Sequence, residues 1–331
     1  MNKLIVRRSE SSILADNGLP PLLQRIYGSR GIGGVEELDR SLKVLIPYTS
    51  MKDIDLGVAV IADAVQQRQR ILIVGDFDCD GATSSTLAVL ALRSMGAAQV
   101  DFLVPNRFEY GYGLSPEIVE VAAAQKPDLL ITVDNGISSI EGVKAAKSKG
   151  IKVVVTDHHL PADELPNADA LINPNQHGCE FPSKNLCGVG VIFYVMSALR
   201  RALQERRWFQ QQQIPVPNMA SFLDLVALGT VADVVTLDQN NRVLVDQGLK
   251  RIRAGVARPG ILALLEVAGR KPATLVASDL GFAVGPRLNA AGRLEDMSIG
   301  IECLLAETVD QARALAFQLD ELNQDRKSIE Q

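Results

Sequence analysis

Three aspartates that alternate with other residues could hold a metal ion. Asp76, Asp78 and Asp80 directly follow the apolar run 71–74. If the backbone stays extended here, their side chains point the same way, because strand side chains alternate with a period of two. Carboxylates crowded on one face repel one another and favour a cation, and oxygen clusters suit magnesium or manganese. An acidic turn after a strand explains this stretch alone equally well.

The residues that follow predict a helix whose start can bind phosphate. Residues 84–95 have a helical pattern and are reached through Gly81. The N-terminus of such a helix offers backbone N–H groups to an anion. A candidate phosphate site therefore lies beside the candidate metal site.

Strand and helix patterns alternate from residue 71 to residue 172, which places the acidic stretch in a sheet. Alternation at this spacing predicts βαβ units with right-handed crossovers on a parallel sheet. We therefore predict an α/β fold, a Rossmann-like parallel sheet flanked by helices, with helical N-terminal and C-terminal extensions. The predicted strands are residues 71–74, 100–104, 129–133, 153–156 and 170–172, and the predicted helices between them are 84–95, 116–125 and 138–149.

Polar side chains also follow the next three predicted strands. Arg107 comes after the second strand, Asp134 after the third, and Asp157, His158 and His159 after the fourth. Sites in parallel sheets form at the carboxyl ends of the strands. The repeated placement predicts a site at this edge, and the plainer interpretation of the two histidines is a pair of exposed loop residues.

Asp233 stands inside the apolar run 226–235. An acid in such a run is seldom buried unless it is paired or bound to a metal. We therefore predict a metal ligand, and the alternative is a cap for the next element.

Charge is distributed unevenly along the chain. The 331 residues carry a net charge of −5, but residues 242–293 hold nine Lys/Arg and three acids. That segment is +6 and the rest of the chain is −11. A basic segment on an acidic, metal-binding body favours an anionic substrate, and a solvated helical surface is the alternative.

The basic segment ends in the glycine-rich stretch 285–293. We predict that Arg287, Asn289 and Arg293 bind substrate there, because guanidinium groups hold phosphates through two hydrogen bonds at once. Glycine and alanine let a ligand approach the backbone closely. A glycine-rich turn with surface arginines is an equal alternative for this stretch.

Composition predicts a cytoplasmic protein that is not in a membrane. The four cysteines have no CxxC spacing, which favours reduced thiols. No signal peptide is visible, and the longest apolar stretch, 189–199, is too short to span a bilayer. We expect an N-terminal helical extension over residues 1–50 and a main domain over 51–239. The basic helical segment 240–309 completes that domain, and residues 310–331 begin a linker helix.

Four motifs together resemble the DHH phosphoesterase superfamily. They are Asp-Phe-Asp-Cys-Asp-Gly at 76–81, Asp-Asn-Gly at 134–136, Asp-His-His at 157–159 and Gly-Thr-Val-Ala-Asp at 229–233. Residues 105–113 and 285–293 extend the resemblance to the bacterial single-strand DNA exonucleases of that superfamily, over essentially the whole chain. The resemblance implies two divalent metals, Mn²⁺ or Mg²⁺, held by the following residues: Asp78, Asp80, Asp134, His158 and Asp233.

The resemblance also implies catalytic roles. Asp134 would bridge the metals, and His159 would act near the scissile phosphate as an acid or a transition-state donor. Many relatives have a histidine where Val74 stands, and we expect Asp76 to compensate for its loss. Arg107 would hold a substrate phosphate.

Tyr110 and Tyr112 are predicted to stack on bases, since stacking tolerates any sequence. Packing within their own loop is an equal alternative.

These residues predict metal-assisted phosphodiester hydrolysis. The resemblance implies a 5′-to-3′ exonuclease specific for single-stranded DNA that acts in DNA repair and recombination. Single-strand-binding protein and helicases are the expected protein partners. One alternative is a small-substrate phosphatase or nano-oligonucleotide hydrolase, and another is an inactive module that binds DNA or a partner. Members of the exonuclease group continue into a DHHA1 domain and an oligonucleotide-binding fold. We therefore expect this chain to bind metal but to degrade single-stranded DNA weakly or not at all.

Overall fold

A five-stranded parallel sheet forms the centre of the computed structural model, which describes residues 18–106 and 113–329. The strands are β1 (Arg70–Val74), β2 (Gln99–Leu103), β3 (Leu129–Val133), β4 (Lys152–Thr156) and β5 (Ala170–Ile172). Their order is β2-β1-β3-β4-β5. The predicted α/β class and parallel sheet are therefore confirmed.

Helices precede, connect and follow the strands. Those up to the end of the sheet are α1 (Pro21–Gly28), α2 (Ile54–Gln66), α3 (Cys79–Ser94), α4 (Pro116–Ala124) and α5 (Ile140–Ser148). The α-helices of five or more residues after it are α6 (Gly188–Glu205), α7 (Trp208–Gln212), α8 (Leu223–Ala232), α9 (Gln239–Arg253), α10 (Pro259–Val267), α11 (Gly285–Leu294), α12 (Ser298–Leu305) and α13 (Val309–Ile329). A π-helical turn, Leu280–Val284, leads directly into α11.

Each face of the sheet packs against a different set of helices. On β1, Ile71 and Ile73 belong to the large core with α2, α3 and α6, whereas Leu72 and Val74 belong to a smaller core with α4 and α5. This division follows from the period-two alternation of strand side chains. Because both faces are covered, the strands are apolar throughout, as is usual in parallel sheets.

The acidic stretch after β1 does not stay extended, so that premise of the sequence analysis is wrong. The strand ends at Val74, and α3 begins at Cys79 rather than at residue 84. Asp78 is the N-cap of α3, and its Oδ1 accepts a hydrogen bond of 2.9 Å from the Gly81 N–H. Aspartate is a preferred N-cap because its side chain satisfies an N–H of the first turn. Asp80 therefore lies in the first turn of a helix.

After β5 the described residues form helices and connecting loops without a further strand, and several of these helices pack around α3. Helices α6 and α8 pack on α3, and α11 and α12 also contact it. A buried ion pair ties α8 to the start of α10, with 2.6 Å between Arg258 Nη1 and Asp224 Oδ1. None of the described helices has the length and apolar character needed to cross a membrane.

Candidate metal centre

The carboxyl ends of β1, β3 and β4 bring the acids and histidines of the predicted site together. Residues that follow these strands, together with Asp233, form groups whose ligand atoms lie within 4.8 Å of one another. Asp76, Asp78 and Asp134 form one group, and Asp80, His158 and Asp233 form another; a third contains Asp134 with both His158 and His159. Asp134 thus connects the two halves of the site.

His158 lies among three carboxylates. Its Nε2 is 3.1 Å from Asp134 Oδ1, 3.6 Å from Asp233 Oδ2 and 3.9 Å from Asp80 Oδ2. Asp233 comes from the end of α8, where it is the C-cap residue. Within the described residues, neither His158 Nε2 nor Asp233 Oδ2 makes a hydrogen bond, although both atoms are buried. Buried polar atoms without hydrogen bonds around one point indicate a place for a cation.

The N-terminus of α6 fixes Asp80. The Gly188 and Val189 N–H groups donate to its two carboxylate oxygens, at 2.5 and 2.9 Å. These N–H groups have no partner within the helix, and the helix dipole favours an anion there. A side chain at Gly188 would not fit, since its Cβ would lie 2.6 Å from the Asp134 Cβ. The glycine therefore lets α6 approach the two acids.

Burial and like charge raise the pKa values of the acids. Burial first, and then the neighbouring acid Asp233, raises the pKa of Asp80 well above its usual range. Burial and then Asp80 do the same to the pKa of Asp134. Burial and then Asp78 raise the pKa values of Asp76 and Asp233 to about 7 each. The group is therefore strained by its own negative charge, which a bound cation relieves.

His158 is uncharged at neutral pH. Burial, followed by the neighbouring His159, lowers its pKa to about 4. A neutral imidazole keeps a lone pair on its ring, which is the form that binds metals. The donor set of carboxylates with one imidazole suits manganese or magnesium, so these residues fit the divalent metals that the resemblance implied.

Asp157 holds His159 in its charged form. Its Oδ1 accepts from His159 Nδ1 at 2.8 Å, and its Oδ2 accepts from the Ile137 N–H at 2.9 Å. The bond to Asp157 is the main reason that the pKa of His159 rises to about 9. Burial alone would raise the pKa of Asp157, but these hydrogen bonds bring it below its usual value. No role for Asp157 is apparent from the sequence, although it begins the 157–159 triplet.

A tight turn after β3 presents Asp134. The backbone of Asp134 has φ +62°, in the left-handed region that aspartate tolerates better than most residues. The side-chain amide of Asn135 donates to the carbonyls of Val74 and Val133, at 3.1 and 2.9 Å, and so joins the ends of β1 and β3. Sequence reasoning missed this role, and the Asp-Asn-Gly turn signal was the only indication of it.

The described residues that were predicted to bind substrate either contact other parts of the protein or lie exposed. Arg287 forms an ion pair with Asp320 of α13, with 2.7 Å between Nη2 and Oδ1. Asn289 accepts a hydrogen bond from the Cys79 N–H at 2.7 Å, and Arg293 is exposed near the end of α11. Their roles toward substrate stay predictions. Three other predicted substrate residues lie outside the described residues: Arg107, Tyr110 and Tyr112.

Comparison with known proteins places this site in a family. The model of the DHH family, N-terminal domain, matches residues 70–230, which include β1 to β5 and most of α8. A crystal structure of exonuclease RecJ bound to manganese is 33% identical, covering 85% of this chain and 68% of that one, with a TM-score of 0.73. The chain therefore belongs to the DHH family.

Within that family the chain falls in the RecJ group. It is 58% identical over 328 residues to the single-stranded-DNA-specific exonuclease RecJ of Escherichia coli strain K12, covering 98% of this chain and 57% of that protein. A crystal structure of RecJ from Thermus thermophilus in complex with Mn²⁺ has a TM-score of 0.76 at 32% identity, covering 92% of this chain and 42% of that one. The chain spans a little over half the length of the Escherichia coli relative, 57%.

Proposed function

We propose that this chain carries the catalytic site of a 5′-to-3′ exonuclease that hydrolyses single-stranded DNA with two divalent ions, Mn²⁺ or Mg²⁺. The observation that carries the proposal is the pair of ligand groups that meet at Asp134. One group is Asp76, Asp78 and Asp134, and the other is Asp134, His158 and His159. His158 is also part of the group with Asp80 and Asp233. A carboxylate shared between two ligand groups is suited to bridging a metal pair.

His159 and Asp157 contribute to the reaction beside the metal ligands. When two divalent ions are bound, they supply an activated water and neutralise charge on the leaving oxygen. His159 stays protonated at neutral pH because Asp157 accepts from its Nδ1. A proton or hydrogen bond for a phosphate oxygen then comes from its Nε2. Asp157 thus sets both the charge and the orientation of His159.

Contacts to the rest of the DNA remain proposals for individual residues. We assign Arg107 and Arg293 to substrate phosphates and Tyr110 and Tyr112 to bases. Arg287 is mostly buried against Asp320, so its contribution to DNA binding requires that ion pair to open.

The choice of DNA rests on the relatives. The Escherichia coli protein is named a single-stranded-DNA-specific exonuclease, and RecJ structures contain manganese or magnesium. The proposed partners are single-strand-binding protein, which coats single strands, and helicases, which generate them. The proposed setting is DNA repair and recombination in the cytoplasm.

Digestion of labelled DNA tests the function. Single-stranded, double-stranded and very short oligonucleotides carrying a 5′ or a 3′ label are incubated with the chain and manganese, and the products are resolved by length. Asp134→Asn removes the shared carboxylate with little change in shape. Asp101→Asn, at an exposed position on β2, is the matched control.

The proposal predicts weak, metal-dependent loss of mononucleotides from the 5′ end of single strands, abolished in Asp134→Asn and retained in Asp101→Asn. Equal digestion by Asp134→Asn would contradict it. Cleavage confined to the shortest oligonucleotides would favour the nano-oligonucleotide hydrolase alternative instead.

A further inference from the structure

Helix α11 lies against the loop that presents the first metal ligands. This metal loop, residues 75–80, runs from the end of β1 into the first turn of α3. The side chain of Asn289 on α11 accepts a hydrogen bond of 2.7 Å from the Cys79 N–H. Cys79 stands between Asp78 and Asp80. The contact therefore reaches the loop at the residue that joins two ligands.

The Cys79 N–H needs a partner from outside the loop. It belongs to the first turn of α3, where the N–H groups have no partner within the helix. Asp78, the N-cap, satisfies the Gly81 N–H instead. Asn289 supplies the acceptor for Cys79 across 210 residues of sequence. Without that acceptor a buried N–H would be left without a hydrogen bond, which favours a different backbone arrangement for the loop.

A second contact holds the loop on the other side of Asp78. Gly292, one turn after Asn289, lies against the carbonyl oxygen of Phe77 so closely that a Cβ there would overlap it. Helix α11 thus contacts Phe77 and Cys79, the two residues that flank Asp78. One contact on each side of Asp78 restricts its backbone more than a single contact would.

Helix α11 is itself anchored to the last helix. The Arg287 guanidinium donates to the Ala283 carbonyl and lies 2.7 Å from Asp320 of α13. The side chains of Arg287 and Asp320 are only 13% and 18% exposed. Burial makes the removal of one partner of such a pair costly. The anchor gives α11 a fixed position from which Asn289 can hold the loop.

We propose that Asn289 is a positioning residue that sets the geometry of Asp78 and Asp80 through the Cys79 N–H. The inference rests on the proposed metal site. It differs from the sequence-based prediction that Asn289 binds substrate, because its carbonyl oxygen is directed at the loop backbone. Groups that hold metal ligands in place commonly change metal affinity by about 10- to 100-fold when they are removed.

Manganese titration of three variants tests the proposal. Asn289→Leu keeps the approximate size of the side chain but removes the acceptor, and Asn289→Asp keeps an acceptor oxygen. Asn218→Leu is the matched control, since Asn218 also accepts from a backbone N–H, that of Ala220, but at the start of a short helical turn before α8. Apparent Kd for Mn²⁺ and the melting temperature without metal are measured for each. If Asn289→Leu fails to fold, Asn289→Ala takes its place.

We expect the apparent Kd for Mn²⁺ to rise about 10-fold or more in Asn289→Leu. Asn289→Asp should bind at least as tightly as the wild type, and Asn218→Leu should match the wild type even if it melts earlier. A Kd within twofold of wild type in Asn289→Leu overturns the inference, as does an Asn289→Asp variant as weak as Asn289→Leu. Failure of the wild type to bind Mn²⁺ would instead refute the proposed metal site, and the inference with it.

Discussion

Replacing Asp76 by asparagine should stabilise the metal-free protein and weaken its response to metal. Burial and Asp78 raise the pKa of Asp76 from 3.8 to about 7. A carboxyl with a raised pKa lowers stability as the pH rises from its unfolded to its folded pKa, because the unfolded chain ionises more readily. Asparagine has no such charge, and its Oδ1 can still accept the 2.8 Å hydrogen bond from the Phe77 N–H.

The size of the effect follows from the shift. One pKa unit corresponds to about 1.4 kcal/mol, so at pH 8 the charge of Asp76 costs the metal-free fold about 4 kcal/mol. At pH 5 the folded protein keeps on Asp76 the proton that the unfolded chain has mostly lost. The cost to the stability of the metal-free fold is then about 2 kcal/mol. The stability difference between Asp76→Asn and wild type should therefore shrink by roughly half between pH 8 and pH 5.

Urea unfolding in a chelator, at both pH values, measures this difference. The same unfolding with saturating Mn²⁺ should reverse the order, because the variant has lost a ligand. Asp101→Asn, exposed on β2, should follow the wild type throughout. An Asp76→Asn variant that is less stable than wild type in chelator at pH 8 would refute the reasoning from repulsion among buried acids.

Two further predictions concern residues outside the ligand set. Asp157→Asn should lower DNA cleavage at pH 8 by about 100-fold or more while leaving the Mn²⁺-induced rise in melting temperature intact, because it removes the anion that keeps His159 charged. Cleavage kinetics and thermal melting measure the two effects. Loss of the Mn²⁺-induced rise in melting temperature would indicate that Asp157 is needed for metal binding instead. Arg258→Ala should destabilise the fold by about 3–5 kcal/mol in urea unfolding, since it leaves Asp224 buried without its cation. A loss below about 1 kcal/mol would show that Asp224 is hydrated or protonated in the variant.

The sheet could be predicted because its strands are continuous apolar runs with helical patterns between them. The same alternation placed Asp134, His158 and Asp157 at one edge, since parallel strands all end there. The position of α3 could not be read in the same way. Asp78 is compatible both with an acidic turn and with the N-cap of a helix. The packing of α6 and α11 on this loop, which is not visible in the sequence, favours the N-cap.

Long-range contacts explain the remaining differences. Asn289 looked like a substrate residue because arginines and glycines surround it, yet its partner is 210 residues away in sequence. The N–H groups that hold Asp80 belong to α6, and nothing in the local pattern of either segment indicates that they meet. Backbone N–H and carbonyl groups are present in nearly every residue, so sequence patterns cannot identify which of them bind a given side chain.

The number and coupling of bound manganese ions test the central claim most directly. Equilibrium dialysis gives the stoichiometry, and electron paramagnetic resonance reports whether the ions are magnetically coupled. Ligand groups that share Asp134 predict two Mn²⁺ per chain at roughly 4 Å or less, with the spectrum of a coupled pair. The pair should be lost in Asp134→Asn and kept in Asp101→Asn. A single ion per chain, or two ions with uncoupled spectra, would contradict a shared two-metal site.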